Sequence, residues 1–131
     1  MNTVSASIGT QLYKTEIKTN NHLIIADEPE KVGGQDLGFT LTDLLNSSLA
    51  ACSAITIRMY AERKGWDVQH IHVNVKHKIN ITSQTITFEK EIEVIGDLDA
   101  TQKKRLVEIG EKCPVEKMLK GDIKVVSSLK A

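Results

Sequence analysis

The stretch Thr40–Gly65, TLTDLLNSSLAACSAITIRMYAERKG, decides how this chain is read. Thr40 followed by Asp43 has the form of a capping box, and the carboxylate also suits the positive end of a helix. Leu41, Leu44, Leu45, Ser48, Leu49, Cys52, Ile55, Thr56 and Met59 then keep the three-and-four spacing of one helical face, with Gly65 as a natural stop. The spacing predicts a helix of about 24 residues, ~36 Å long. Its other side carries Ser47, Ala50, Ala51, Ser53 and Ala54 rather than charges until Arg58. With so little solvent face, the helix is expected to be central and buried on most sides. Cys52 falls on its apolar stripe.

Working outward, VSASI, QLYKTEI and HLIIA read as a short antiparallel meander turning at Thr19-Asn20-Asn21. DEPEKVGGQDLGFT holds Pro29, Gly33, Gly34 and Gly38, too much backbone freedom for an element interior, and reads as a loop of about a dozen residues. Beyond the helix, Ile71, Val73, Val75, His77 and Ile79 alternate on one strand and Ile86, Phe88, Ile92 and Val94 on the next, a hairpin turning at ITSQ. Asp99 with Gln102 signals a second helix with Leu106 and Ile109 inward, and DIKVVSSL reads as a closing strand. The fold class expected is α+β, in one domain spanning residues 1–131.

Composition narrows the function classes. The chain has 131 residues, 40% of them hydrophobic, and 17 basic residues balance 17 acidic ones. That balance lacks the electrostatic footprint of a nucleic-acid or anionic-membrane partner, so neither is expected. MNTVSASIGT has no basic or apolar leader pattern, and no apolar run approaches the length that spans a bilayer, which predicts a cytoplasmic protein. In a reducing compartment a bridge between the two cysteines, Cys52 and Cys113, would be transient or absent.

Cys113 lies in EKCPVEKMLKG. Pro114 disfavours helical geometry before it and is welcome as a first helical residue, so Cys113 is an N-cap, with Gly121 past the end of a short helix. A thiol there faces free N–H groups and the positive dipole end, which favours thiolate. Each thiol also has a structural reading, Cys52 as a small buried apolar side chain and Cys113 as a Ser-like cap. A zinc site of both cysteines with His70 and His72 is disfavoured, because no CxxC or HxxxH pair is present and the two histidines alternate onto the polar side of their strand. Ser47 and Ser48 lack a Gly-rich elbow, which argues against a hydrolase. His77 and Trp66 read as packing residues.

DEPEKVGGQDLGFTLTDLLNSSLAACSAITI, followed by EKCPVEKMLKGDIKV, resembles the OsmC/Ohr family of thiol-dependent peroxidases. The resemblance implies an OsmC-like fold in which two chains intertwine into a homodimer, with the small residues Ala50, Ala51 and Ala54 letting long helices approach. It implies that Cys52 is the peroxidatic thiol attacking an organic hydroperoxide and that Cys113 resolves the sulfenic acid as a disulfide. A small-thiol or lipoyl-type reductant then regenerates both, without a bound cofactor.

The sequence departs from the family at one point of substance. Family members supply an arginine from the N-terminal strands, held by a helix carboxylate, whereas here no arginine precedes Arg58. Asp43 stands where the family has Glu, but about 180° around and ~13 Å along the helix from Cys52, so it can act only through an intermediary or across the dimer. Lys14 or Lys18 is the candidate replacement cation. Without one, the alternative is a dimeric binding or redox-sensing relative that is not a peroxidase.

Overall fold

The computed structural model describes residues 3–130. The chain divides into two compact units, Met1–Leu45 and Asn46–Ala131.

In the first unit, β1 (Ser5–Ile8), β2 (Thr15–Lys18) and β3 (Leu23–Ala26) form the expected antiparallel meander, with Ala6 opposite Ile17 and Ile17 opposite Ile24. The Thr19 turn closes through the Thr19 N–H on the His22 carbonyl at 2.9 Å and the His22 N–H on the Thr19 hydroxyl at 3.1 Å. The Gly-rich loop after β3 contains a short 3-10 turn at Glu30–Val32 and is tied to one buried carboxylate. Asp27, buried at 3% exposure, accepts N–H bonds from Glu28 (2.7 Å), Tyr13 (3.0 Å), Gln35 and Leu37 (both 3.3 Å). Gly34 is required here because a Cβ would collide with the Glu28 carbonyl oxygen.

Helix α1 (Leu41–Lys64) has the predicted bounds and cap: the Asp43 N–H donates to the Thr40 hydroxyl at 3.2 Å, and the Thr40 N–H to the Asp43 carboxylate at 3.1 Å. From Asn46 it belongs to the second unit, with β4 (Asp67–Asn80), β5 (Thr85–Asp97), α2 (Ala100–Gly110) and α3 (Pro114–Lys120). β4 and β5 pair antiparallel, with Ile71 opposite Val94, Val73 opposite Ile92, and Val75 opposite Lys90. Asp99 and Gln102 form both halves of a capping box on α2. The core gathers Ile57, Ala61, Val68, Val94 and Leu106, with Tyr60, Trp66, Ile71, Ile92 and Leu98 against it. Trp66 meets Tyr60 edge-on at 5.7 Å, the packing role expected of it.

Two expectations need correction. The buried line of α1 is Leu49, Ser53, Ile57 and Ala61, whereas Ile55 and Met59 of the predicted stripe are 54% and 63% exposed. The helix is turned so that Ser53 can meet α2 and β5, which needs a small polar residue rather than Cys52 on that line. The predicted closing strand is not formed: residues 122–130 hold no regular structure, and Val125, Val126 and Leu129 are almost fully exposed. β-propensity cannot make a strand without a neighbouring ladder, and the described sheet of this unit consists of β4 and β5.

Candidate active site

Two elements of the second unit carry the cysteines. Cys52 lies midway along α1, and Cys113 is the N-cap of α3, set there by Pro114 at the first helical position. Both free thiols meet the first turn of α3. Cys113 is fully buried, while Cys52 is partly accessible. Each sulfur accepts a backbone N–H of α3: Val115 to Cys52 at 3.5 Å and Glu116 to Cys113 at 3.4 Å.

The polar half of the site was not anticipated. Lys90, on β5, sends its ammonium to the Ser53 hydroxyl at 2.6 Å, the Gly110 carbonyl at 2.7 Å and the Glu116 carboxylate at 2.7 Å. Three donors thus meet three acceptors, as a nearly buried ammonium requires. The Lys90 and Glu116 side chains are only 10% and 12% exposed, and Lys120 also bonds Glu116 at 2.7 Å. Ser53, at 0% exposure, stands with its hydroxyl 3.0 Å from the Gly110 carbonyl and 3.5 Å from Cys113 Sγ. A Cβ at Gly110 would lie 2.9 Å from Ile92 Cδ1 and 3.0 Å from Ile57 Cδ1, so the ends of those side chains would have to shift.

Burial pushes the Cys113 thiol up, but hydrogen bonds from Ser53, the Glu116 N–H and Cys52, with the Lys90 charge, prevail and hold it below its ordinary value. Burial likewise raises the Glu116 carboxyl, and bonds to Lys120 and Lys90 more than reverse this.

Within the second unit, Lys90 is a cation beside the thiols that the sequence reading did not single out. Lys14 and Lys18 belong to the first unit, where Lys18 makes an ion pair with Glu16 at 3.9 Å. A signal for Lys90 was present in the chain: Ile86, Phe88, Lys90, Ile92 and Val94 alternate on one strand face, and a lysine in that series has an inward register. Asp43 sits in the first turn of α1, in reciprocal bonds with Thr40, nine positions before Cys52. Arg58 is committed to the Val68 carbonyl at 2.6 Å. His77 is half-buried, 3.0 Å from the Asn46 amide and against Phe88. His70 and His72 stack on each other, and no group of His, Cys, Asp and Glu suited to a metal ion occurs among the described residues.

A cleft of about 760 Å³ is floored by Met59, Tyr60, Ile109 and Pro114 and edged by Arg63 and Lys112, with neither cysteine among its lining residues. Thr56 on its wall is one turn beyond Cys52, and Pro114 adjoins Cys113.

Fold and site together define an α+β protein organised around a pair of reduced thiols. Residues 33–128 match the family described as OsmC-like protein, and the chain belongs to that family. A protein from Psychrobacter arcticus 273-4, named for an osmotic stress induced and detoxification response, is 26% identical over 90% of this chain and 88% of its own, with a TM-score of 0.76. An OsmC-like protein from Mycoplasma pneumoniae aligns at 20% identity over 92% of this chain and 88% of that one, TM-score 0.79. An organic hydroperoxide resistance protein from Elizabethkingia anophelis aligns at 18% identity over 95% and 91%, TM-score 0.68. The latter two likenesses are of fold. A comparison with curated proteins found no match. No described helix is long and apolar enough to cross a membrane.

Proposed function

We propose that this chain is a thiol-dependent redox protein that reduces organic hydroperoxides, with Cys52 as the peroxidatic and Cys113 as the resolving cysteine. The observation that carries this reading is that both sulfurs accept adjacent N–H groups of the first turn of α3, beside a nearly buried lysine. Membership of the OsmC-like family supports it. In the proposed cycle Cys52 sulfur attacks the distal oxygen of the hydroperoxide, passing its proton to Cys113. The O–O bond breaks, the alcohol leaves with the proton returned from Cys113, and Cys52 becomes a sulfenic acid. Cys113 thiolate then attacks Cys52 sulfur, the S–S bond forms and the sulfenic oxygen leaves as water after taking up a proton. A small-thiol or lipoyl-type dithiol supplies the two electrons that reopen the bridge, and the apolar cleft offers room for the hydroperoxide's hydrocarbon.

The working unit is proposed to be a homodimer in the reducing cytoplasm. Exposed Ala51, Ile55 and Met59, one turn apart on α1, and the apolar Ile123, Val125, Val126 and Leu129 support a self-association surface. Asp43 enters this proposal through the partner copy, its place on its own helix being that of a cap.

Purified wild type is expected to consume cumene hydroperoxide with a dithiol, and Cys52→Ser to abolish turnover. Equal rates in the two proteins would sink the peroxidase reading. A redox-sensing or binding module is the second reading, favoured by the electrostatic support converging on Cys113. It predicts that the disulfide forms slowly in excess peroxide and without turnover.

A further inference from the structure

Lys90 and Ser53 do more than fill the core. We infer that they are positioning residues that hold Cys113 as the leaving thiolate of the Cys52–Cys113 disulfide, so that a reducing dithiol attacks Cys52. The inference rests on the thiol-redox reading above and assigns which sulfur meets the reductant.

Ser53 has one hydroxyl proton and two acceptors within reach, the Gly110 carbonyl at 3.0 Å and Cys113 Sγ at 3.5 Å. Lys90 donates to the same Gly110 carbonyl at 2.7 Å and to a Ser53 lone pair at 2.6 Å, so the carbonyl keeps a strong donor when the serine proton turns away. When Cys113 carries negative charge, the serine proton is drawn to that sulfur as a charge-assisted bond. The groups facing Cys113 are Cys52 and Ser53 from α1, Lys90 from β5, and Glu116 with Lys120 behind it from α3. Ser53 and the Glu116 N–H donate to Cys113, with the Lys90 charge one bond behind Ser53, while Cys52 receives the Val115 N–H. Accessibility points the same way, since Cys113 is fully buried and Cys52 is not.

The step balances. A thiolate of the dithiol attacks Cys52 Sγ, the protein S–S bond breaks, and its electron pair leaves on Cys113 Sγ while a new S–S bond joins the reductant to Cys52. The reductant's second thiolate displaces Cys52, closing the reductant to its own disulfide. Of the two protons it releases, one is taken by Cys52 and the other goes to solvent. The better leaving thiol is the one whose anion is stabilised, and only an exposed sulfur can be approached.

The test titrates the thiolate absorbance of Cys113 in a Cys52→Ser background. Adding Lys90→Met is expected to move the midpoint up by about one pH unit, and Ser53→Ala by less. Lys90→Arg keeps the charge and should restore most of the shift. Glu116→Gln removes a nearby negative charge and should move the midpoint down. Loosened packing would move all of these variants the same way, so opposite signs for Lys90→Met and Glu116→Gln support the inference. An unmoved midpoint in Lys90→Met overturns it; should that protein not fold, an unmoved midpoint in Ser53→Ala does so. In parallel, wild type oxidised to its disulfide is pulsed with glutathione, quenched in acid and mapped by mass. An adduct on Cys52 is expected, and one chiefly on Cys113 overturns the assignment. The titration needs neither peroxide nor a disulfide, so its failure is separable from failure of the redox reading, which the peroxide assay reports.

Discussion

Asp27 and Lys90 illustrate what a single buried charge does in this chain. Asp27 gathers four backbone N–H groups, three from the Gly-rich loop and one from Tyr13 ahead of β2, and although burial pushes its carboxyl up, those bonds hold it below the ordinary 3.8. A carboxyl lowered on folding stabilises fully above its unfolded value, and that contribution is lost as pH falls through the lower folded value. Amide exchange at Tyr13, Gln35 and Leu37 is therefore expected to accelerate together in acid, below pH ~4, beyond the intrinsic change. Asp27→Asn should show the same fast exchange at neutral pH. Unchanged protection in the variant would dismiss the carboxylate as the organiser. Lys90 is the counterpart in the second unit, legible in hindsight from its inward register between Phe88 and Ile92 but not from any motif.

At the scale of elements, the caps carry most of what was legible. Thr40 with Asp43, Asp99 with Gln102, and Cys113 with Pro114 each announced a helix start, and each helix begins there. Asp99→Ala should cost about 1 kcal/mol in denaturant unfolding by taking the side-chain acceptor from the Gln102 N–H. A loss below a few tenths would show the box to be idle. The Gly110→Ala change belongs to packing between elements: its methyl group presses on Ile57 and Ile92, with an expected loss of about 1–3 kcal/mol. The same change should disturb the Lys90 bond to the Gly110 carbonyl, so its thiolate titration should shift as well.

At the scale of the whole molecule, the core of the second unit and the proposed dimer make different demands. Leu106, fully buried, should lose about 2–5 kcal/mol on truncation to Ala through lost transfer energy and a residual cavity. Met59→Glu, on the exposed line of α1, should leave the core intact and lower the mass seen by light scattering from two chains to one. An unchanged mass would remove this helix face from the interface. The same exposure explains why the predicted apolar stripe failed: three-and-four spacing marks a face that avoids water, without saying whether its own chain or a second copy supplies the cover.

By itself, the chain determined the local events: where helices start and stop, which residues alternate along the hairpin, and that Cys113 sits ahead of a helix. These depend on contacts within a few residues, such as a side-chain oxygen meeting an N–H three positions on. Tertiary structure alone decided that α1 turns Ser53 rather than Cys52 into the core, that Lys90 comes to lie beside the thiols, and that DIKVVSSL has no ladder to join in this unit. Those outcomes are set by how elements distant in sequence share volume and charge, and the contact between Ser53, Lys90 and Gly110 joins a helix, a strand and a helix end with no common signature.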